Sequence, residues 1–552
     1  FVHDGTLIAY DNDMFRVDFA EHTDATVLVY GQTEVTRDLY DARDAITLIS
    51  CRHEASAANM AEAFGKLTGR PGVVMVTRGP GATQGSVGVH TAFQDSTPMV
   101  MFIGQVARDQ ADREAFQEID YRRMFAPIAK WAGQLDRADR AAEYVNRAFA
   151  TALNGRRGPA VLALPEDVLT DVVEAPSIAR APVVEAAPAP SAIDACAEML
   201  KTARKPFLLV GGGGWSPSAV IGLQTFVERT GLPVGASFRS KDLFDNRHPQ
   251  YAGDVGIAVN PVLSKRIAES DLIIALGPRL GEMTTSGYAL LAPPETKQKL
   301  VHIHPGAEEL GRVFTPALAI QATPAQAIGA LNDLNWSPNE DWRAQAASAH
   351  EAFEAFCAPV TVEEGVNLSA VFAHLDQSLP EDAIICNGAG NYAAWLHRFY
   401  RHKSFKSQLA PTSGAMGYGL PAAIAAKAVY PDRDVVCAAG DGCFMMAASE
   451  LATAVQYKLP IIVLVANNGS YGTIRMHQER AYPARVSGTD LQNPDFAAFA
   501  ESFGATGLRV EETAAFPEAF AKARAAGKPA VIELITSKNE IAPGKTLNVG
   551  AV

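Results

Sequence analysis

Short apolar runs, dense in Val and Ile and separated by amphipathic stretches, recur along the whole chain and set its fold class. A strand that is apolar on both faces has to be covered on both faces. That is the situation of a parallel sheet held between helical layers. In the first block Gly72 to Thr77 (GVVMVT) and Pro98 to Gly104 (PMVMFIG) read as such strands, and Ala55 to Leu67 reads as a helix with Ala, Met and Phe on one face. The second block has Pro206 to Val210, then the glycine run Gly211 to Gly214, then Asp271 to Leu276 and Lys299 to Ile303. The third has Ala383 to Cys386, Asp434 to Ala439, Pro460 to Ala466 and Ala530 to Ile535. The expected architecture is α/β: three consecutive doubly wound parallel-sheet domains over residues 1–173, 192–335 and 365–552. Glu174 to Ser191, with Pro176, Pro182, Pro188 and Pro190, reads as an extended connector. A second connector, Asn335 to Asn367, holds a helix from Asp341 to Phe356.

The length of 552 residues accommodates three such domains. Acidic residues outnumber basic ones, 61 to 48, which disfavours a nucleic-acid partner because phosphate contacts need clustered Lys and Arg. No apolar run approaches the roughly 20 residues that span a bilayer, so no membrane partner is expected. Six cysteines lie dispersed without a CxxC pair. Neither a disulfide framework nor a zinc site is expected from them. Together with the lack of a basic segment leading an apolar one, they point to a cytoplasmic location.

The chemistry concentrates in the third block. Gly440, Asp441 and Gly442 follow the run DVVCAA, and Asn467 and Asn468 follow the run IIVLVA. An amphipathic helix (MMAASELATAVQY) separates them. Such a βαβ unit sets Asp441 and Asn468 at the carboxyl ends of neighbouring strands, where open α/β sheets bind ligands. A carboxylate and an amide carbonyl are hard oxygen donors suited to Mg²⁺, whose shell is completed by phosphate oxygens and water. The glycines let backbone N–H groups approach a phosphate.

This pairing of GDG with NN resembles the diphosphate-and-metal motif of thiamine-diphosphate enzymes. Two further segments are similar to that family: RHEASAANMAEAFGKLTGRPGVVMVTRGPGAT, Arg52 to Thr83, and APTSGAMGYGLPAAIAAK, Ala410 to Lys427. HTAFQDSTPMVMFIGQV, AFQEID and the ending EIAPGKTL resemble the acetolactate synthase-like branch, the acetohydroxyacid synthase large subunits. The resemblance implies thiamine diphosphate and Mg²⁺ as cofactors. It implies Glu54 as the carboxyl group that exchanges a proton with the pyrimidine ring, and Gln94 and Gln117 near the reaction centre. Gly414 would receive the pyrimidine amino group on its carbonyl, and Met416 would prop the cofactor into a bent shape. Gly390, Asn391, Gly440, Asp441, Gly442, Cys443, Asn468, Ser470, Tyr471 and Gly472 would surround the diphosphate, with Asp441, Asn468 and Ser470 on the metal. Phe116, Gln117, Met476 and His477 would face the substrate. Taken singly, Glu54 reads as a helix N-terminal carboxylate and Met416 as core.

The implied reaction is decarboxylation of a 2-oxo acid followed by carboligation. The alternatives are another thiamine-diphosphate decarboxylase or lyase, acting on a 2-oxo acid, an acyl-CoA or a hydroxy-ketone, and a non-catalytic cofactor-binding protein. The resemblance also implies a homodimer or homotetramer, with the cofactor bridging the first block of one copy and the third of another. Several positions depart from the branch. His477 stands where the biosynthetic synthases carry a tryptophan. GPRLGEMTTSG, from Gly277, replaces their flavin-binding stretch, and His304 replaces a ribose-binding carboxylate. FAD is therefore not expected. Residues 1–36 match the branch poorly.

Overall fold

The computed structural model describes residues 25–30, 44, 46–174 and 178–547, so most of the poorly matching stretch 1–36 lies outside the described residues. The chain folds into three six-stranded parallel sheets with helices between the strands. The first holds β1 (Ala25–Tyr30), β2 (Ile46–Ser50), β3 (Gly72–Val76), β4 (Met99–Gln105), β5 (Trp131–Gln134) and β6 (Pro159–Pro165), in the order β2-β1-β3-β4-β6-β5. The second holds β7 (Pro206–Val210), β8 (Val234–Ala236), β9 (Tyr251–Asp254), β10 (Leu272–Leu276), β11 (Lys299–His304) and β12 (Leu318–Gln321), in the order β12-β11-β10-β7-β8-β9. The third holds β13 (Ile384–Asn387), β14 (Gln408–Leu409), β15 (Val435–Gly440), β16 (Ile462–Asn467), β17 (Thr506–Val510) and β18 (Ala530–Ile535), in the order β14-β13-β15-β16-β18-β17. The Val- and Ile-rich runs occupy the sheet interiors, as their two-sided hydrophobicity requires. A small antiparallel hairpin, β19 (Glu540–Ala542) and β20 (Lys545–Thr546), follows.

Six helices matter for the site: α1 (Glu54–Thr68), α2 (Pro80–Asp95), α3 (Tyr392–Phe399), α4 (Gly419–Val429), α5 (Asp441–Met445) and α6 (Gly472–Ala481). The helix expected over Met445–Tyr457 is instead broken. α5 begins at Asp441, a 3-10 turn spans Ala448–Glu450, and a short helix runs over Leu451–Gln456. The break turns Glu450 into the protein, where it is fully buried and accepts the N–H of Arg52 at 2.9 Å. The connector also ends earlier than its proline content suggests. Pro190 opens a helix, Pro190–Thr202, at the first-turn position where its missing N–H costs nothing.

The first and third sheets share one hydrophobic core. The alanine-rich faces of α1 (Ala57, Ala58, Ala61) and α4 (Ala422, Ala423, Ala426) both lie fully buried in it. Small side chains let two helix backbones come close. A polar cluster completes this contact. Glu62 accepts from the Tyr418 hydroxyl at 2.5 Å and from the Thr97 hydroxyl at 2.7 Å. Lys66 pairs with Asp95 at 2.7 Å and donates to the carbonyl of Ala410.

Glu62 is fully buried, and burial first, then Asp95, pushes its carboxyl up to about 7. A carboxyl raised above its unfolded value of about 4.3 binds its proton more tightly in the native state. Stability through this group is therefore expected to fall as pH rises between those values, by at most about 4 kcal/mol. Melting midpoints of wild type and Glu62→Gln, followed from pH 5 to 8, check this. The difference between them should move in the variant's favour as pH rises, and a constant difference would remove Glu62 as the titrating group.

Candidate active site

In the third sheet the strand order reverses between β13 and β15, so the loops leaving those strands diverge and leave a crevice. A cavity of about 280 Å³ fills it. It is lined by Gly390, Asn391, Gly414, Met416, Gly440, Asp441, Gly442, Cys443, Asn468, Ser470, Tyr471 and Gly472. β15 and β16 pair in parallel with Gly440 opposite Ala466, which brings Asp441 and Asn468 to one rim.

Asp441 is 3% exposed, and burial pushes its carboxyl above the usual range. One oxygen accepts the N–H of Gly442 at 2.8 Å and the other accepts from the Asn493 amide at 2.8 Å. Asn493 also donates to the side-chain oxygen of Asn467, whose amide donates to the buried Glu533. The two asparagines of the NN pair therefore diverge. Asn468 lines the cavity, while Asn467 is spent on holding Asn493 and, through it, Asp441.

Ser470 is buried with its hydroxyl oxygen lacking any hydrogen-bond partner. The Asn468 oxygen accepts the N–H of Ser470 at 3.0 Å and keeps a second lone pair. No three His, Cys, Asp or Glu side chains converge among the described residues. The rim thus offers one carboxylate, one amide oxygen and one orphaned hydroxyl. That donor set fits a hard cation whose remaining ligands come from phosphate and water.

The walls are equally specific. No side chain caps the first turn of α6, whose Gly472 and Thr473 line the cavity; the Gly472 N–H is taken by the Ser470 carbonyl at 2.8 Å, and the N–H groups that follow it in the turn are placed for an anion. At Gly442 a Cβ would come within 2.6 Å of the Tyr471 ring, so only glycine fits there. Gly414 adopts φ +72 and a Cβ there would meet nothing within 4 Å, which leaves its backbone open to the cavity. Cys443 is buried, with its sulfur receiving the Gly417 N–H and the Tyr392 hydroxyl. Asn391 accepts from Thr473, tying the loop after β13 to α6.

The residues expected from the first block stand elsewhere in the chain. Glu54 opens α1, is 5% exposed and does not line this cavity. Its carboxylate lies 3.5 Å from where a Cβ on Gly81 would sit, so glycine there admits it to the start of α2. His53 caps α1 by accepting the Ala55 N–H, which gives it a structural role. Phe116 is 76% exposed, and Gln117 packs beside Gly79 with a positive φ of 67. Gln94 lines a second cavity of about 700 Å³, between the three domains. The loops after β7 and β10, including Gly212 to Gly214 and Arg279, contribute to it. Met476 and His477 lie on α6 outside the 280 Å³ cavity, and His477 is exposed and bonded to Arg480.

Sequence reasoning missed several lining residues, among them Trp395, Ile474, Glu540 and Ile541. Trp395 and Ile474 look like ordinary amphipathic positions. Glu540 and Ile541 belong to β19, inside the ending EIAPGKTL, whose family resemblance is the only sign of contact in the sequence.

A thiamine pyrophosphate enzyme N-terminal TPP binding domain matches residues 20–124, the central domain matches 193–331, and the C-terminal TPP binding domain matches 388–534. The chain belongs to the thiamine pyrophosphate enzymes, in their acetolactate synthase-like branch. It is 30% identical to the acetolactate synthase large subunit of Parasynechococcus marenigrum over 515 residues, covering 90% of this chain and 83% of that one. It is 31% identical to the acetolactate synthase large subunit of Corynebacterium glutamicum over 505 residues, 88% and 80% of the two chains. A putative thiamine pyrophosphate-containing protein of Bacillus subtilis is 28% identical over 526 residues, 93% and 88% of the two.

Proposed function

We propose that the protein is a thiamine diphosphate- and Mg²⁺-dependent carboligase that releases CO₂ from a 2-oxo acid and joins the remaining acyl unit to a second carbonyl. With pyruvate in both roles the product is 2-acetolactate. The observation that carries this reading is the gathering of Gly440–Cys443, Asn468, Ser470–Gly472, Gly390, Gly414 and Met416 around one switch-point cavity. When bound, the cofactor supplies the carbon nucleophile and the electron sink for decarboxylation. Asp441, Asn468 and Ser470 are the residues that would hold the cation. The uncapped start of α6 and the backbone around Gly442 would bind the diphosphate. Gly414 would orient the pyrimidine ring through its carbonyl, and Met416 would hold its position against the ring.

We assign Glu54 to the proton exchange at the pyrimidine ring, acting from a second copy of the chain. Its absence from the lining of its own chain's cavity supports this, as does the exposure of Phe116. The assembly would be a homodimer or a homotetramer. Phe116 and Gln117 would approach the substrate from that second copy, and Gln94 would serve where Ala389, Gly390 and Gly414 line both cavities. Met476 and His477 would face the acceptor. No helix among the described residues is long and apolar enough to cross a membrane. A cytoplasmic setting is supported by the six unpaired cysteines.

Incubation with pyruvate and other 2-oxo acids, following CO₂ and the coupled product, tests the reading. Formation of 2-acetolactate is the expected result. Release of CO₂ with an aldehyde as product would favour a decarboxylase, a reading to which His477 in place of tryptophan lends support. No CO₂ from any 2-oxo acid would overturn both.

The protein should carry no stoichiometric FAD. His304, at the end of β11, is buried with its Nδ1 accepting the Gly306 N–H, and burial holds its pKa down at about 4. The strand thus ends on a histidine where a ribose-binding carboxylate would stand. The visible spectrum of the purified protein, and of the supernatant after heat denaturation, should show no flavin band. One FAD released per chain would reverse this assignment.

A further inference from the structure

We infer that Arg239, in the second domain, is a positioning residue for the cofactor cavity of the third. It rests on the reading that the 280 Å³ cavity holds the cofactor. Arg239 lies in the loop after β8 and is 3% exposed. Its guanidinium donates one hydrogen bond to the carbonyl of Pro411 and another, at 3.0 Å, to the carbonyl of Gly388. These carbonyls sit just beyond β14 and β13, where the sheet ladder has ended and offers them no partner. Gly388 leads into Ala389 and Gly390, and Pro411 leads into Gly414 and Met416. Ala389, Gly390 and Gly414 line both the 280 Å³ and the 700 Å³ cavities, so the two loops are the partition between them. One planar fork from another domain therefore fixes the spacing of the two loops.

The arrangement is not what stability alone would select. Arg239 adopts φ +60, a backbone conformation disfavoured for a residue with a side chain. Its charge is buried with no carboxylate in ion-pair range among the described residues, and its Nε lacks a hydrogen-bond partner. A buried charge without a carboxylate partner is costly, and the two loop carbonyls are what this one is spent on. The guanidinium lies over the Phe238 ring at 4.9 Å, which fixes its plane. Asn387 also donates to the Gly388 carbonyl, so the loop keeps one anchor when Arg239 is lost. Arg239 is the side chain that hydrogen-bonds both this loop and the Pro411 loop, beyond the point where the β13–β14 pairing aligns them.

The test uses Arg239→Gly in the full chain. Glycine suits the positive φ and vacates the space of the guanidinium. Titration of the cofactor-free protein with thiamine diphosphate and Mg²⁺, read by tryptophan fluorescence because Trp395 lines the cavity, is expected to show affinity weakened by about 10- to 100-fold, the loss of two charge-assisted hydrogen bonds only partly expressed in binding. Millimolar ethylguanidinium should restore several-fold of that loss, whereas tetramethylammonium at equal ionic strength should not. Arg239→Lys, which keeps the charge but replaces the planar fork with a single nitrogen, should bind with intermediate affinity. Wild-type affinity in either folded variant, or equal effects of the two cations, would overturn the assignment. If Arg239→Gly does not fold, Arg239→Lys decides alone. Absence of saturable cofactor binding in the wild type would instead sink the assignment of the cavity itself.

Discussion

Glu54→Gln is expected to slow turnover by about 10²–10⁴-fold, the usual worth of a general acid–base group, while leaving the fold and cofactor retention intact. The amide keeps the size of the side chain at its buried place against Gly81. It loses only the ability to exchange a proton. Steady-state rates together with cofactor titration separate the two effects, and a near wild-type rate would take Glu54 out of the chemistry. The same variant tests the assembly. If each site takes Glu54 from one copy and Asp441 from another, mixing Glu54→Gln with Asp441→Ala chains creates hybrids with one site free of both defects. An equal mixture of dimers should then recover about a quarter of wild-type activity. No recovery on mixing would place Glu54 and Asp441 of one chain at the same site.

Asp441→Ala is expected to weaken retention of Mg²⁺ and cofactor together, by about 10²-fold or more, because Asp441 is the carboxylate that stands beside Asn468 and Ser470, where a cation would bridge protein and diphosphate. The fold should survive. Asn493, released from Asp441, still donates to Asn467. Cofactor titrations with and without Mg²⁺ check this. The metal should strengthen binding to the wild type and make little difference to the variant. Equal affinity in both proteins would move the metal away from Asp441.

The sequence alone determined the α/β class and the location of the chemistry in the third block. Both rest on local patterns. Two-sided Val and Ile runs have to be buried between helices, and a strand end followed by GDG or NN is legible because every residue involved is adjacent in the chain. Strands such as Trp131–Gln134, Val234–Ala236 and Thr506–Val510 carry no such run. They are short, contain glycine or polar residues, and hold their place by pairing with a more apolar neighbouring strand. The break before Glu450 is likewise invisible locally, since its reason is an N–H of Arg52 from another domain. Tertiary structure also decided how the two asparagines of NN divide their work and that Gln94 borders the larger cavity. It decided that Arg239 ties the loops at Gly388 and Pro411. In each case the partner lies far along the chain, and a hydrogen bond to a distant residue leaves no period, spacing or composition in the sequence around it.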